Sequence, residues 1–439
     1  MSLPKYGAYK PSGTSWLGDV PAHWNIRRLG YFFEERREKV SDKDFPALSV
    51  TKLGIVPQLE TAAKTDDGDN RKKVITGDFV INSRSDRKGS SGAATQDGSV
   101  SLINTVLCPV TGIEIGFAHH LLRSVPFQEE FYRYGKGIVA DLWSTNYSEM
   151  RNIVLALPEV REQAVIASFL DRETTKIDEL IVEQEKLIAL LTEKRQATIF
   201  HAVTKGLNAS VPMKDSGVEW LGEVPAHWSV LQLRHFAYVL RGKFTHRPRN
   251  DPAFYDGDYP FVQTGDITSA GRYIESFKQT LNERGAAVSK EFPSGTLVMA
   301  IAANIGDVAI LNFPAYFPDS IVGMVPKSAV ELQYLYYLLI AMKAPMLQTA
   351  TVSTQMNLNV DQITSLSAAR PPIEEQNGVV MFLDAELAKV DALQAVAKRG
   401  IELLLERRSA LIAAAVTGQI DVRGAMTQAV LGSLEAIAA

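Results

Sequence analysis

Residues 10–33 read KPSGTSWLGDVPAHWNIRRLGYFF, and residues 214–237 read KDSGVEWLGEVPAHWSVLQLRHFA. Thirteen of these 24 positions are identical at an offset of 204. The tightest part sets Trp16-Leu17-Gly18 and Val20-Pro21-Ala22-His23-Trp24 against Trp220-Leu221-Gly222 and Val224-Pro225-Ala226-His227-Trp228. A second match runs at offset 213 without a gap. It aligns Pro158, Glu162-Gln163 and Phe169-Leu170-Asp171 with Pro371, Glu375-Gln376 and Phe382-Leu383-Asp384, and ends with Val203-Thr204 on Val416-Thr417. The chain is two copies of one unit: a short motif, a variable block and a long helix.

The blocks at 25–156 and 228–370 share little sequence. Gly77-Asp-Phe-Val-Ile parallels Gly295-Thr-Leu-Val-Met as the start of a strand, each followed by a small-residue turn, Gly92-Ala-Ala or Gly306-Asp-Val. Both blocks mix β-rich stretches with one amphipathic helix near their end, at roughly 117–133 and 330–348. Copies that keep their ends and differ in the middle imply one scaffold carrying two separate recognitions.

The 161–203 stretch has a sustained 3-4 apolar rhythm through Ile166, Leu170, Ile177, Leu180, Leu187 and Leu191, interrupted by Glu173 and Gln184. Its second copy runs through Val379, Leu383, Val390, Leu393, Ala397 and Leu404. Such a period predicts a supercoiling seam that needs a partner helix. Because the copies have equal length, an antiparallel pair within the chain is the economical solution. That pair would act as a spacer of about 65 Å, at 1.5 Å per residue.

With 439 residues, two or more cores are expected. The single cysteine, Cys108, excludes a disulfide scaffold and a cysteine-based zinc cluster. No apolar run is long enough for a membrane span, and Met1-Ser-Leu-Pro-Lys lacks a signal-peptide pattern, so a soluble cytoplasmic protein is expected. Net charge is −4, but each variable block carries +1, so the acid excess lies outside them. That balance argues against nonspecific coating of nucleic acid and leaves local readers open.

Catalytic patterns are missing. There is no GxxxxGK[ST] phosphate loop, no Asn/Asp-Pro-Pro-aromatic loop, no GxSxG and no HExxH. His119 and His120 are adjacent on a predicted helix and diverge by about 100°, which does not suit a shared metal. His23 and His227 read as hydrogen-bonded fillers of a packed turn. Trp16, Trp24, Trp220 and Trp228 read as anchors against a helix end or a partner. A duplicated active site, such as a carbohydrate-active one, would repeat its carboxylates, yet Asp78 aligns with Thr296.

The doubled SGxxWLGxVPAHW segment, the doubled Pro-led approach ending in Glu-Gln before a long helix, and the two-fold block order together resemble the specificity subunit of type I restriction-modification systems. The resemblance covers nearly the whole chain. It implies an α+β fold of two mixed α/β target-recognition domains separated by a pair of long antiparallel coiled-coil helices, a pseudo-two-fold tandem repeat. The corresponding segments are a motif at 1–24, a first domain at 25–157, a central helix at 158–206, a second domain at 207–370, a C-terminal helix at 371–418 and an extension at 419–439.

The family further implies that each domain reads one half of a split, asymmetric site in double-stranded DNA. Two methylation subunits dock on the helices, and motor/nuclease subunits join the full complex. The chain itself would hold no cofactor; S-adenosylmethionine, and ATP with magnesium for restriction, would sit on the partner subunits. The extension QIDVRGAMTQAVLGSLEAIAA has no role fixed by the resemblance.

DNA contacts require cations for phosphates and polar side chains for base edges. In the first block the best stretch is 82–91, with Arg84, Ser85, Arg87, Lys88 and Ser90; Arg71-Lys72-Lys73 and Thr51-Lys52 follow. In the second block Arg241, Lys243, Thr245, Arg247 and Arg249 give four cations and no acid across nine residues. Gln263, Thr264 and Asn304 are placed at strand ends, and Gln355 and Asn357 just before the last helix. The plainer alternative for each cluster is a solvated surface. Partner contacts are expected at the four motif tryptophans and at Leu187, Leu191 and Leu404. The rival to this whole assignment is a coiled-coil adaptor that presents two β-rich ligand domains and binds no DNA.

Overall fold

In the computed structural model, which describes residues 3–60, 68–84, 87–137, 143–349 and 358–425, the sequence repeat becomes a structural one. The first motif is a hairpin of Tyr9–Pro11 against Asp19–Pro21, with Tyr9 opposite Pro21. The second pairs Met213–Asp215 with Glu223–Pro225, with Met213 opposite Pro225. Trp24 and Trp228 are fully buried, and each indole N–H donates to a glutamate on a long helix, Glu162 at 3.1 Å and Glu375 at 2.9 Å. His23 and His227 lie against the same carboxylates, at 2.8 and 2.6 Å. The HW-to-Glu clamp is therefore made twice.

Contacts divide the chain into two units, residues 1–185 with 398–439, and residues 186–397. The boundary cuts through the central helix, Val160–Lys205, and the C-terminal helix, Ile373–Val416. In the first unit the motif sits on the last turn of the C-terminal helix, where the Tyr9 hydroxyl donates to the Gly418 carbonyl at 3.1 Å. In the second, the motif sits on the last turn of the central helix, where Gly206 lies under the Trp228 ring. Gly206 and Gly418 both have left-handed backbones, φ +73° and +75°, just past a helix end. Glycine ends a helix there at no steric cost, and at Gly418 a methyl group would run into the Pro21 ring.

Each variable block leaves and rejoins the scaffold at one place. Asn25–Arg28, right after Trp24, pairs antiparallel with Val154–Leu157, and Ser229–Gln232 pairs likewise with Ser367–Arg370. Gln163 and Gln376, both fully buried, fasten the start of each long helix. Gln163 donates to the carbonyls of Gly112 and Pro158 at 2.9 Å and accepts from the Glu114 N–H at 2.8 Å. Gln376 repeats this with Ala329, Pro371 and Glu331 at the same distances. Glu114 and Glu331 in turn cap the helices Ile115–Arg123 and Leu332–Ala341.

Inside the blocks four strands are common. In the first they run Ser91–Ala93, Phe79–Asn82, Asn104–Pro109 and Phe33–Glu35, all antiparallel. In the second they run Val308–Leu311, Leu297–Ala300, Ile321–Pro326 and Ala237–Arg241, with Tyr273–Ile274 added in parallel at the outer edge. Phe79–Asn82 and Leu297–Ala300 are buried at every residue, which is why they read as unbroken apolar runs. The remaining strands differ. The first block adds Lys39–Val40, Arg71–Val74 and Gly98–Val100, and a hairpin of Leu48–Thr51 with Gly54–Pro57. The second adds a separate four-stranded sheet around Tyr255–Phe261.

Three expectations need correction here. Gly92 lies within a strand, not a turn. The helix expected over 117–133 is two, Ile115–Arg123 and Val125–Arg133, because Ser124 is extended and caps the second while Pro126 cannot continue the first. The helix expected over 330–348 likewise divides into Leu332–Ala341 and Lys343–Thr349.

A further correction concerns the helical seam. Leu180, Leu187 and Leu393 are 51%, 41% and 53% exposed, while Ile181, Gln184, Ile188 and Gln394 turn partly inward beside the buried Leu191 and Ala397. The inward residues Ile177, Ile181, Gln184, Ile188 and Leu191 keep the heptad spacing in its 4-3 order, so the seam passes through Ile181 and Ile188 in place of their neighbours Leu180 and Leu187. In the first unit Arg408 holds Asp178 at 2.9 and 3.2 Å. In the second, Arg195 pairs with Asp391, and Gln394 donates to Thr192 at 3.0 Å. These pairings run antiparallel, as the equal helix lengths predict.

Candidate nucleic-acid interface

The basic residues of the first block fall into two groups. Arg71, Lys72 and Lys73 turn away from solvent. Arg71 is 4% exposed, and its guanidinium donates to the Ser99 hydroxyl at 2.9 Å and the Ser99 carbonyl at 3.1 Å. Lys72 is tied to Glu35 and to the Asn104 carbonyl, and Lys73 to Glu38 over the Phe45 ring. This strand is a crosslink between sheets, and its assignment as a DNA contact is withdrawn for Arg71. Arg71→Ala is expected to destabilise the first unit by about 2–3 kcal/mol in denaturant unfolding, since it orphans buried acceptors. The same substitution should leave the salt dependence of DNA binding unchanged.

The second group surrounds the 82–91 loop. Ser90 is buried and its carbonyl closes the loop by accepting from the Asn82 N–H at 2.9 Å, so it faces inward rather than toward a ligand. Arg84, Arg87 and Lys88 are exposed along this loop, while Ser85 lies outside the described residues. Lys88 pairs with Glu129 at 2.5 Å and lies over the Tyr132 ring. Across from it is the tip of the Leu48–Pro57 hairpin. The Thr51 hydroxyl donates to the Gly54 carbonyl and accepts from the Leu53 N–H, both at 3.0 Å, which fixes the turn. Lys52 and Leu53 project from it, Leu53 being 88% exposed.

Between the tip and the loop lies a cleft of about 370 Å³, lined by Lys52, Lys88, His119, Arg123, Gln128 and Arg408 among others, and by no carboxylate among the described residues. Arg123 ends the helix Ile115–Arg123, where a cation suits the helix dipole. Its guanidinium donates to the Lys52 carbonyl at 2.5 Å and lies 2.7 Å from His119 Nε2. The other ring nitrogen, Nδ1, accepts from the Ala93 N–H at 3.2 Å. Burial first, and then the Arg123 charge, hold the His119 pKa down at about 4, so the ring is neutral at pH 7. A neutral imidazole accepts at one nitrogen only, which leaves one of these two donors without an acceptor. The neighbouring His120 is 2.7 Å from Asp171, and among the described residues no cluster is placed to hold a metal.

In the second block the 241–249 loop folds around one acidic residue. Arg241 donates to the Asp319 carbonyl at 2.7 Å, while Arg249 and Arg247 reach its carboxylate at 2.5 and 3.6 Å. Lys243 and Thr245 are exposed on the same loop, whose Phe244 packs on Phe261. Gln263 begins the helix Thr264–Ser269 and donates to Gln279 at 2.9 Å. Thr268 joins Thr264 to Asn304: its hydroxyl donates to the Thr264 carbonyl at 3.1 Å and accepts from the Asn304 amide at 2.8 Å. The structure thus brings Thr264 and Asn304 together, apart from the arginine loop. Gln355 and Asn357 lie outside the described residues.

The description "Type I restriction modification DNA specificity domain" matches residues 225–401. Two specificity subunits of Methanocaldococcus jannaschii, those of the type I restriction enzymes MjaX and MjaVIII, are each 22% identical to this chain. The alignments cover 93% and 92% of this chain and 96% and 94% of theirs. Over most of its length the chain is similar to type I restriction-modification specificity subunits. Its fold is similar to a chain from a structure of complex assembly and conformational transition in a type I R-M system, with a TM-score of 0.71 and 16% identity over 90% of this chain and 98% of that one. It is also similar to the HsdS subunit from Thermoanaerobacter tengcongensis, with a TM-score of 0.54 and 16% identity over 91% and 98%.

The contacts expected with a partner at the tryptophans are made within the chain. Trp24 and Trp228 are wholly covered by their own units, and Trp220 donates to the Ser367 carbonyl at 3.2 Å. Trp16 is partly buried against the first core. Leu191 is 7% exposed and Leu404 is half-buried, so of the helix candidates Leu187 alone is open. Other apolar side chains of the long helices are exposed: Leu180, Val182, Leu403 and Leu405 in the first unit, and Leu190, Leu393 and Val396 in the second. No described helix is long and apolar enough to cross a membrane.

Sequence reasoning missed Arg123 and Arg408. Arg123 follows an apolar helix without neighbouring cations, and Arg408 lies on another element far along the chain. It also left the paired Glu162/Glu375 and Gln163/Gln376 as aligned letters. Their recurrence directly after the Pro-led approach was the available signal.

Proposed function

We propose that this specificity subunit reads a bipartite, asymmetric DNA sequence, with the 25–157 block contacting one half and the 207–370 domain the other. The observation that carries this reading is the twice-built scaffold: the HW-to-Glu clamp, the buried glutamine and the paired strands are kept, while the surfaces they hold differ. Two methylation subunits would dock on the exposed apolar side chains of the long helices and bring S-adenosylmethionine to adenine. Motor/nuclease subunits, with ATP and magnesium, would complete the restriction enzyme. The chain contributes recognition and spacing.

Mapping of methyladenine by long-read sequencing, in cells expressing the chain with its methylation subunit, tests this directly. A split motif with two defined halves is the expected result. If no methylated motif depends on the chain while the methylation subunit is active, the reading fails. The two long helices would also set the distance between half-sites. Inserting seven residues, about 10 Å of helix, into both helices is expected to lengthen the spacer by about three base pairs and leave both halves unchanged. A changed half-site with an unchanged spacer would refute the ruler role.

A further inference from the structure

We infer that the cleft between the Leu48–Pro57 hairpin, the 82–91 loop and the C-terminal helix seats one phosphate of the DNA backbone, an inference that rests on the DNA-reading role proposed above. Four cations, Lys52, Lys88, Arg123 and Arg408, converge on it, and among the described residues no carboxylate lines it. Two of them form no ion pair among the described residues. Lys52 is exposed, and its ammonium has no hydrogen-bond or ion-pair partner among the described residues. Arg123 makes no ion pair among the described residues, and the His119 ring cannot serve both donors that face it. The other two, Lys88 with Glu129 and Arg408 with Asp178, are in exposed pairs, and such pairs cost little to exchange for a stronger anion.

The cleft is already shaped for its ligand. Arg123 grips the Lys52 carbonyl and Thr51 closes the turn, so the cations need little ordering when an anion arrives. A guanidinium fork matches two phosphate oxygens, and an ammonium serves a third as a point charge. Phosphate contacts fix register and carry no base information. The seat therefore positions the first block on the duplex, and Arg408 ties that position to the C-terminal helix.

The experiment uses the chain assembled with its methylation subunit, and two duplexes: the target found by methylation mapping and a scrambled one. Binding is measured across a salt series for the wild type, Lys52→Gln and Lys52→Gln/Arg123→Gln. Lys52→Gln alone keeps the test valid for folding, since that side chain holds nothing in place. The expected result is that log K against log salt becomes shallower by about 0.9 for the lost phosphate contact. Affinity should fall about tenfold for both duplexes alike, with the methylated motif unchanged. An unchanged salt slope overturns the seat. A changed motif overturns it in favour of base reading, and weaker assembly without DNA overturns it in favour of a carboxylate of the methylation subunit. If the wild-type complex binds neither duplex, the DNA-reading role falls first and the seat with it.

Discussion

A chain in which residues 25–157 are replaced by the corresponding block of another specificity subunit is expected to direct methylation to a target with one half entirely changed and the other untouched. Loss at the original half should exceed a thousandfold, since each mismatched base pair costs about 1–3 kcal/mol and several mismatches accumulate. The exchange is permitted by the way the block is joined. Asn25 lies opposite Leu157 and Arg28 opposite Val154, so both joints are backbone ladders indifferent to the side chains that follow. Gln163 also meets the block only at backbone groups, those of Gly112 and Glu114. Mapping methyladenine before and after the exchange checks the result. Alteration of both halves would mean that the blocks do not read independently.

Gln163→Leu is expected to destabilise the first unit by about 4 kcal/mol. The leucine has nearly the same volume, so no large cavity forms; the cost comes from two carbonyls and one N–H left buried without partners, at about 1–3 kcal/mol each. Glu114 would lose its backbone anchor, and with it the cap of the helix Ile115–Arg123. Hydrogen exchange should lose protection over 110–123 and 154–166, while 329–341 and 367–376 stay protected. Gln376→Leu should give the mirror-image pattern. Loss of protection in both units from either substitution would show that they do not hold their cores separately.

Much of the scaffold was legible because duplication is its own internal control. A Trp, a Glu and a Gln that recur in register must do the same job twice, and the clamp at Glu162 and Glu375 is that job. The buried strands Phe79–Asn82 and Leu297–Ala300 were visible as apolar runs for the same reason they are buried. The helical seam was legible only to within one residue. A heptad ruler read as 3-4 places Leu180 and Leu187 inside, whereas the same period read as 4-3 from Ile177 takes Ile181 and Ile188, and the sequence has apolar residues at both. Cation clusters were the weakest guide. Arg71 looks like a ligand contact by composition, and only tertiary pairing with Ser99 reveals a buried crosslink. The cleft around Arg123 and Arg408 joins segments with no common local pattern, so no window of sequence contains it.

The motif of residues 9–24 rests on the last turn of a helix that ends at Val416, and Val422 behind it is buried in the same core. Residues 9–24 therefore wait for residues made some 400 positions later. The second unit, by contrast, is one uninterrupted stretch, 186–397, and has every segment it needs before residues 415–422 are made. Vectorial synthesis usually lets the N-terminal part fold first. Here the order is inverted: the stretch 186–397 can mature first, and the earlier half, with Trp24 and Val20 uncovered, closes only once residues 415–422 have been made.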